Sequence, residues 1–484
     1  MSSINPLVSQ LKKPPKDFTK EDLIKFVKNN GIKILNLCHV AEDCRFKTLS
    51  FVIDDEKHLS EILEKGERVD GSSLFSYIDP VKSDIYIMPR YATAFVNPFN
   101  TIPTLNILCS YLDENGKPLD IAPETILYKA EQKLLKNTKI SLRVAGELEF
   151  YVIYKRLEET LYPNVSQRNY HESAPFVKFE ALRNEAIVTL ATMGIAVKYA
   201  HAEVGAIPCF NEWGAEQHEI EFQPKLPKEM ADTIILAKWV LRNIGAKYGV
   251  IISFAPKIAV DHAGNGMHIH ICALKSGKNL IFSARDKVSQ EALKMIGGLL
   301  KFAPSLTAWG NTIPTSYLRL VPRQEAPTHI CWGYRNREAL IRIPLSWSFK
   351  HNLAKLTSTK EGRKENFLFD ACAQTFELRS PDASANPYLL FASILLAIEY
   401  GLTHENSIKI AERHYVEGKK LFKHASLPTS CVESASHLEK DRKYYEADGI
   451  FPERVIDKTI EKLKQFKNEK AKTEELIIKY LHSG

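Results

Sequence analysis

The sequence predicts an α+β fold in two parts: a small N-terminal domain over residues 1–115 and a larger α/β domain over residues 116–484. Three observations carry that prediction. After one helix signal, strand-like runs dominate the first hundred or so residues. A stretch dense in Gly, Pro and acidic residues, DENGKPLDIAPE at 113–124, then separates a strand from a helix. Beyond it, long helical segments alternate with polar-patterned strands.

In chain order, Thr19 caps a helix whose Leu23, Ile24, Phe26 and Val27 fall at helical spacing, and Gly31 supplies its stop. IKILNLCHV, KTLSFVID, SDIYIMP and TLNILCSYL favour a pleated, half-buried surface and read as strands. ETILYKAEQKLLKN opens the second part as a helix. ALRNEAIVTLATMG, EMADTIILAKWVLRNIGAKYG and NPYLLFASILLAIEYG are helices that the pattern ends at Gly194, Gly249 and Gly401, and Pro387 suits a first turn. The last 40 or so residues read as charged amphipathic helices. No internal repeat or low-complexity segment occurs.

Composition removes several function classes. Hydrophobic residues make up 44% and charged residues 25%, as in globular chains. The 65 basic and 58 acidic side chains are dispersed, without a dense Lys/Arg block, so no nucleic acid partner is expected. MSSINPLVSQLKKPPK lacks the apolar core of a secretory signal, and no stretch approaches the roughly 18 apolar residues of a membrane span. A cytoplasmic protein without a membrane partner is the expectation. The eight cysteines form no CxxC pair and read as reduced thiols.

Candidate chemistry lies in the second part. In VAGELEFYVIY, Glu147 and Glu149 are two apart on a strand and share a face, about 7 Å from each other, while Leu148 and Phe150 point the other way. Glu203 and Glu219 stand in a second acidic, strand-like stretch. GNGMHIHI places His268 and His270 on one face after a Gly-Asn-Gly turn, and FELRSPD places Glu377 and Arg379 on one face. Carboxylates with a single imidazole suit Mg²⁺ or Mn²⁺ better than Zn²⁺. Between these stretches lie Arg319 and Glu325 in RLVPRQEAP, and Arg335, Arg337 and Arg342 in RNREALIRIP; Arg335 fits a surface salt bridge. Guanidiniums beside a polycarboxylate centre point to an anionic ligand. Neither GxxxxGK[ST] nor a Rossmann GxGxxG occurs, so any nucleotide binds without those loops.

As an ordered set, VDGSSLFSYIDPVKSDIYIMP, GELEF, HAEV with QHEI, GNGMHIH, SYLRLVPRQEAP, NREALIRIP and ELRSPDASANPYLLFA closely resemble the successive motifs of class I glutamine synthetases. They extend from about residue 66 to 398, and LPTSCVESASHLEKD with EADGIF resembles the family's C-terminal pattern. The resemblance implies a β-grasp-like N-terminal domain and a catalytic domain on a curved antiparallel sheet. It implies ATP and two or more Mg²⁺ or Mn²⁺ ions. Glu149, Glu203 and Glu219 would hold one ion, and Glu147, His268 and Glu377 the other. Arg319, Arg337 and Arg379, with Gly264, would grip glutamate and the transferring phosphoryl group. Arg342 would meet the ATP phosphates and His270 would lie near the nucleotide. Asp70, with Ser73, would reach a neighbouring subunit's site as base toward ammonium. Glu325 would close over the intermediate, and Tyr170 would flank the ammonium site. A homo-oligomer follows, in this family a dodecamer of two six-membered rings.

The implied reaction is ATP-dependent ligation of ammonia to the γ-carboxylate of L-glutamate through γ-glutamyl phosphate. A γ-glutamyl ligase acting on a polyamine or other amine is the alternative, as is a noncatalytic relative. Several positions depart from the family pattern. GAIPCFNEWGA lengthens the loop before Glu219, with Phe210 and Trp213 placed to cover the site or make a subunit contact. Ala263 stands for an Asn, Thr375 for a phosphate-binding Arg, and Arg323 for the Gly of RLVPG. Phe422 stands where some bacterial members carry a modifiable Tyr, so adenylylation is not expected.

Overall fold

The computed structural model describes residues 4–155, 161–208, 212–283, 287–345, 373–418, 421–468 and 472–484. Phe210 and the side chain of Phe422 lie outside the described residues.

A short helix at Pro6–Leu11 is followed by the helix Lys20–Asn29, at whose start Thr19 and Asp22 close a capping box. The six strands that follow or flank it are β1 (Ile34–Val40), β2 (Phe46–Val52), β3 (Glu67–Asp70), β4 (Asp84–Pro89), β5 (Phe95–Val96) and β6 (Thr104–Leu112). They form one sheet in the order β2-β1-β6-β4-β3, with β5 on β6. Only the β1–β6 pair is parallel. Helices Lys20–Asn29 and Glu56–Lys65 bury Leu23, Phe26, Leu59 and Leu63 in its core. The edge strand β3 ends on Asp70.

The second sheet has nine strands: β7 (Ser141–Lys155), β8 (Val197–Ile207), β9 (Trp213–Phe222), β10 (Ile251–Ser253), β11 (Met267–Lys275), β12 (Lys278–Asn279), β13 (Trp332–Tyr334), β14 (Ile341–Ile343) and β15 (Phe376–Leu378). Their order is β13-β14-β15-β11-β7-β9-β8, with β10 on β7 and β12 on β11. All pairs are antiparallel except β13–β14, so the sheet is mixed where a wholly antiparallel one was expected.

Alternation along β7 decides which side of this sheet is chemical. Gly146, Leu148 and Phe150 face the helix Pro227–Lys247, and a Cβ on Gly146 would sit 3.3 Å from Ile234 Cδ1. Glu147 and Glu149 take the opposite face. Behind the sheet, helices Gln290–Gly310 and Pro387–Thr403 pack closely. Gly401, read as a stop, instead lies inside the second of these helices. A Cβ there would come 2.2 Å from the Lys294 carbonyl oxygen, so the glycine serves helix–helix approach. Among the described residues no single helix is long and apolar enough to cross a membrane.

The two sheets share one hydrophobic core. Trp239 of the helix Pro227–Lys247 receives Phe46, Phe95 and Phe99 from the N-terminal part. Arg90, just past β4, forks onto Asp232 at 2.7 and 2.9 Å, and Tyr388 donates to the same carboxylate at 2.6 Å.

Candidate active site

Strand register assembles the site. Across β11, β7 and β9, His268 faces Glu147 and Glu147 faces Glu221. One step along, Glu149 faces Glu219 and Glu219 faces His201 of β8. On the other flank, Arg342 faces Glu377 and Glu377 faces His270. Side chains separated by two in sequence thus line up in rows across the strands. Glu203 comes from a register shift in β8, between Ala202 and Ala206, which turns its carboxylate toward Glu219 and Glu149.

These rows floor a cleft of about 250 Å³ whose walls include Tyr170, Lys198, Glu325, Arg337 and Arg342. His268 Nδ1 lies 3.0 Å from Glu147, and His270 Nε2 lies 2.7 Å from the other oxygen of the same carboxylate. Glu377, wholly buried, receives Arg379 at 2.5 Å and Arg342 at 2.9 Å. Glu149 accepts the Gly266 amide at 2.6 Å and the Gln217 side chain at 3.2 Å.

Charge is unevenly compensated across the floor. Burial alone would raise Glu147, but His270 and His268 hold it well below the usual carboxylate range. Burial would lower His270, yet Glu147 lifts it to about 9. Glu377 is also held low, because Arg379 outweighs its burial. At the other end, among the described residues, His201 offsets Glu203 only in part. Burial, then Glu219 and Glu149, push Glu203 up to about 9. Burial, then Glu147 and Glu149, drive Glu219 well above its ordinary value.

This donor set fits divalent cations. Glu147, His268 and Glu377 each offer an atom within 4.8 Å of the others, as do His201, Glu203 and Glu219. Glu203 Oε2 and Glu221 Oε2 are buried without a hydrogen-bond partner, and such orphaned oxygens are satisfied when a cation binds. Oxygen-rich sets of this kind match Mg²⁺ or Mn²⁺. A larger hollow of about 830 Å³, lined by Arg413, His414, Glu417 and Lys423, lacks grouped carboxylates.

Comparison with known proteins agrees with this geometry. The family model described as "Glutamine synthetase, catalytic domain" matches residues 120–479, and "Glutamine synthetase, beta-Grasp domain" matches residues 36–114. The chain belongs to the glutamine synthetase family. It is 34% identical over 397 residues to a glutamine synthetase of Pyrococcus abyssi, covering 81% of this chain and 82% of the relative. A glutamine synthetase of Aquifex aeolicus is 29% identical over 476 residues, covering 92% of this chain and 94% of the relative. A 3-hydroxylaminophenol mutase of Cupriavidus pinatubonensis is 30% identical over 482 residues, covering 91% and 94%. The family thus includes proteins named for a different reaction. The Plasmodium falciparum glutamine synthetase structure aligns with a TM-score of 0.75 at 21% identity, covering 98% of this chain and 99% of that one, which speaks for the fold.

Of the residues that glutamine synthetase motifs single out, Glu147, Glu149, Glu203, Glu219, His268, His270, Glu325, Arg337, Arg342, Arg379 and Tyr170 all line the cleft. Glu377 lies beneath it. Arg319 and Gly264 form the wall behind. Arg319 is 1% exposed, donates to the carbonyls of Ser380, Arg379 and Pro381, and touches His268 Nε2 at 3.3 Å. A Cβ on Gly264 would strike the Pro256 carbonyl oxygen at 2.2 Å. Asp70 and Ser73 are not among the cleft residues of their own chain. Asp70 instead accepts both serine hydroxyls at 2.7 Å, and Ser73, Ser72 and Ser83 hold its pKa low.

The departures from the glutamine synthetase pattern also find places. Thr375 donates to or accepts from His270 Nδ1 at 2.9 Å, where the family's Arg would add a cation. Ala263 is buried, and its carbonyl accepts the Tyr151 hydroxyl at 2.7 Å. Arg323 and Glu325 both adopt positive φ, 64° and 56°, in the segment over the cleft. Trp213 pairs with Lys155 at the far end of the β8–β9 hairpin and does not line the cleft. Six residues of strand, about 20 Å, separate it from the Glu149–Glu219 pair. Sequence reasoning passed over His201, Gln217, Glu221 and Lys198. His201 and Gln217 each stand two residues before a recognised glutamate, a spacing that would have found them.

Proposed function

We propose that the chain is an ATP-dependent ligase joining ammonia to the γ-carboxylate of L-glutamate. One observation supports this above the rest: two clusters of potential metal ligands, Glu147–His268–Glu377 and His201–Glu203–Glu219, lie with Glu149 under a cleft walled by Arg337, Arg342 and Arg379. Such a floor with cationic walls fits a polyanionic nucleotide next to a carboxylate substrate.

In this reading, Glu147, His268 and Glu377 would hold one divalent cation, and Glu149, Glu203 and Glu219 would hold another. When bound, the divalent cations supply Lewis-acid neutralisation of phosphoryl charge. The chain's own groups orient the reactants. Arg342 meets the ATP phosphates and His270 the nucleotide. Arg337 and Arg379 fix glutamate so that a γ-carboxylate oxygen attacks the γ-phosphorus and ADP departs. Glu325 shields the acyl phosphate from water. Ammonia then attacks the acyl carbon and phosphate leaves. Before that attack Asp70, kept ionised by its serine hydrogen bonds, attracts ammonium and takes one proton to free the nitrogen lone pair, and the adduct gives its second proton to the departing phosphate. Tyr170 flanks that position. Since Asp70 and Ser73 stand outside their own chain's cleft, a neighbouring copy supplies them, and the active form is a homo-oligomer, a dodecamer in the family pattern.

Trp213, at the far end of the hairpin, does not line the cleft, so it gives no support to a bulky acceptor amine. Phosphate release from ATP and glutamate, with ammonium and then a panel of amines and polyamines, tests the reading. Release with ammonium is expected. Preference for an amine would replace the acceptor, and silence with every acceptor would leave a noncatalytic relative.

A further inference from the structure

We propose that His201 is a ligand of the cation held by Glu203 and Glu219, so that this site carries one nitrogen among its oxygens. The assignment rests on the two-cation reading given under Proposed function.

The placement of the two ring nitrogens carries it. His201 Nδ1 lies 3.0 Å from the Ala202 carbonyl oxygen, which only accepts hydrogen bonds. The same oxygen takes the His171 amide at 2.9 Å, so both its lone pairs are used. Nδ1 is thus spent as a donor to that carbonyl, and Nε2 is the nitrogen left for another partner. Nε2 lies 3.3 Å from Glu219 Oε1. His201, Glu203 and Glu219 each offer a ligand atom within 4.8 Å of the others, close enough to share one ion. An imidazole that donates one N–H to a backbone carbonyl while offering the other nitrogen is the usual arrangement of a metal-bound histidine.

The surrounding atoms agree. Glu219 is 7% exposed, and among the described residues its carboxylate accepts no hydrogen bond. Glu203 Oε2 is buried and unpartnered, and it lies 3.6 Å from the Nδ1 side of the same His201 ring. The ring itself is held in place: His171 packs on it at 4.3 Å between centroids, and Tyr170 meets it edge-on at 5.4 Å. Glu149 is less free to serve here, since one of its oxygens is already taken by Gly266 and Gln217. A nitrogen ligand shifts a site's preference from Mg²⁺ toward Mn²⁺.

Metal-free full-length protein titrated with Mn²⁺ alone, followed by pulsed electron paramagnetic resonance of the bound ion, tests this directly. Wild type is expected to show two classes of Mn²⁺ site, each with an imidazole nitrogen coupling, one from His268 and one from His201. His201→Gln should abolish one coupling and weaken that class about 10- to 100-fold. His201→Asp, which restores an oxygen donor, should recover binding without the coupling and shows that the fold is intact. Retention of both couplings in His201→Gln would overturn the assignment, as would a wild type with a single coupling. An intact His201 coupling in a protein that releases no phosphate would remove the ligase reading alone. Normal turnover with no such coupling would remove this inference alone.

Discussion

Replacing Glu377 by Ala removes the carboxylate that Arg379 and Arg342 share, at 2.5 and 2.9 Å. Glu377 and Arg379 are both nearly inaccessible, so neither can recover its partner from water. Removing one member of a buried pair costs about 3–5 kcal/mol. The lower end applies, because Glu147 also attracts Arg379 and because Arg342 keeps part of its surface in solvent. A loss of about 3 kcal/mol, roughly two decades in the unfolding equilibrium, is expected. Glu377→Gln keeps the volume and an accepting oxygen and should lose about half as much. Urea unfolding by circular dichroism in excess EDTA isolates this effect from cation binding. An unchanged Glu377→Ala midpoint, or equal damage from Gln and Ala, would refute the ion-triplet argument. Restoring Mn²⁺ should then stabilise wild type far more than either variant.

Metal-free stability should depend on pH in a definite direction. Glu203 and His270 both titrate near 9 in the folded chain, against ordinary values of 4.5 and 6.5. Each holds a proton that the unfolded chain has released, so stability falls as pH rises from 6.5 to 9. Melting temperature in EDTA should drop across that window, while the gain from Mn²⁺ grows; a flat profile would contradict both assignments. Gly401→Ala places a methyl 2.2 Å from the Lys294 carbonyl and should cost about 1–3 kcal/mol. Gly249→Ala, at φ 68° in open space, should cost nearer 1 kcal/mol, and thermal melts compare the two. Arg90→Ala leaves Asp232 facing the interior with Tyr388 alone and should destabilise by about 3 kcal/mol. The Arg90→Ala, Asp232→Ala double variant should be less than additive in the same melt.

Much of the site was readable because strand chemistry has a period of two. Glu147 with Glu149, His268 with His270, and Glu377 with Arg379 each share a face for that reason. The capped helix at Thr19 was equally local, since its cap, apolar face and stop all lie within a dozen or so residues. What spacing alone could not give was register: which residue of β11 or β9 stands opposite Glu147 is settled by pairing across the sheet. The parallel β13–β14 edge escaped for the same reason. Gly401 misled because a glycine that ends a helix and one that admits a neighbouring helix look alike in sequence. Arg319 shows a further limit, for a motif names a residue without saying whether its guanidinium meets a ligand or backbone carbonyls.

The register shift in β8 has a consequence for how such a protein can change over time. Ala202 pairs with His218 and Ala206 with Glu216, so β8 spends two more residues than β9 across the shift. An even number preserves the alternation of faces, and the outer ladder resumes at Ile207 opposite Ala215. Whatever length accumulates beyond that point stays four or more strand residues, at least about 13 Å, from Glu149 and Glu219. The hairpin is therefore a tolerant graft point: a short peptide spliced after Ile207 should leave Mn²⁺ affinity where it was. Loop length can drift between lineages at one end of these two strands without retuning the ions at the other.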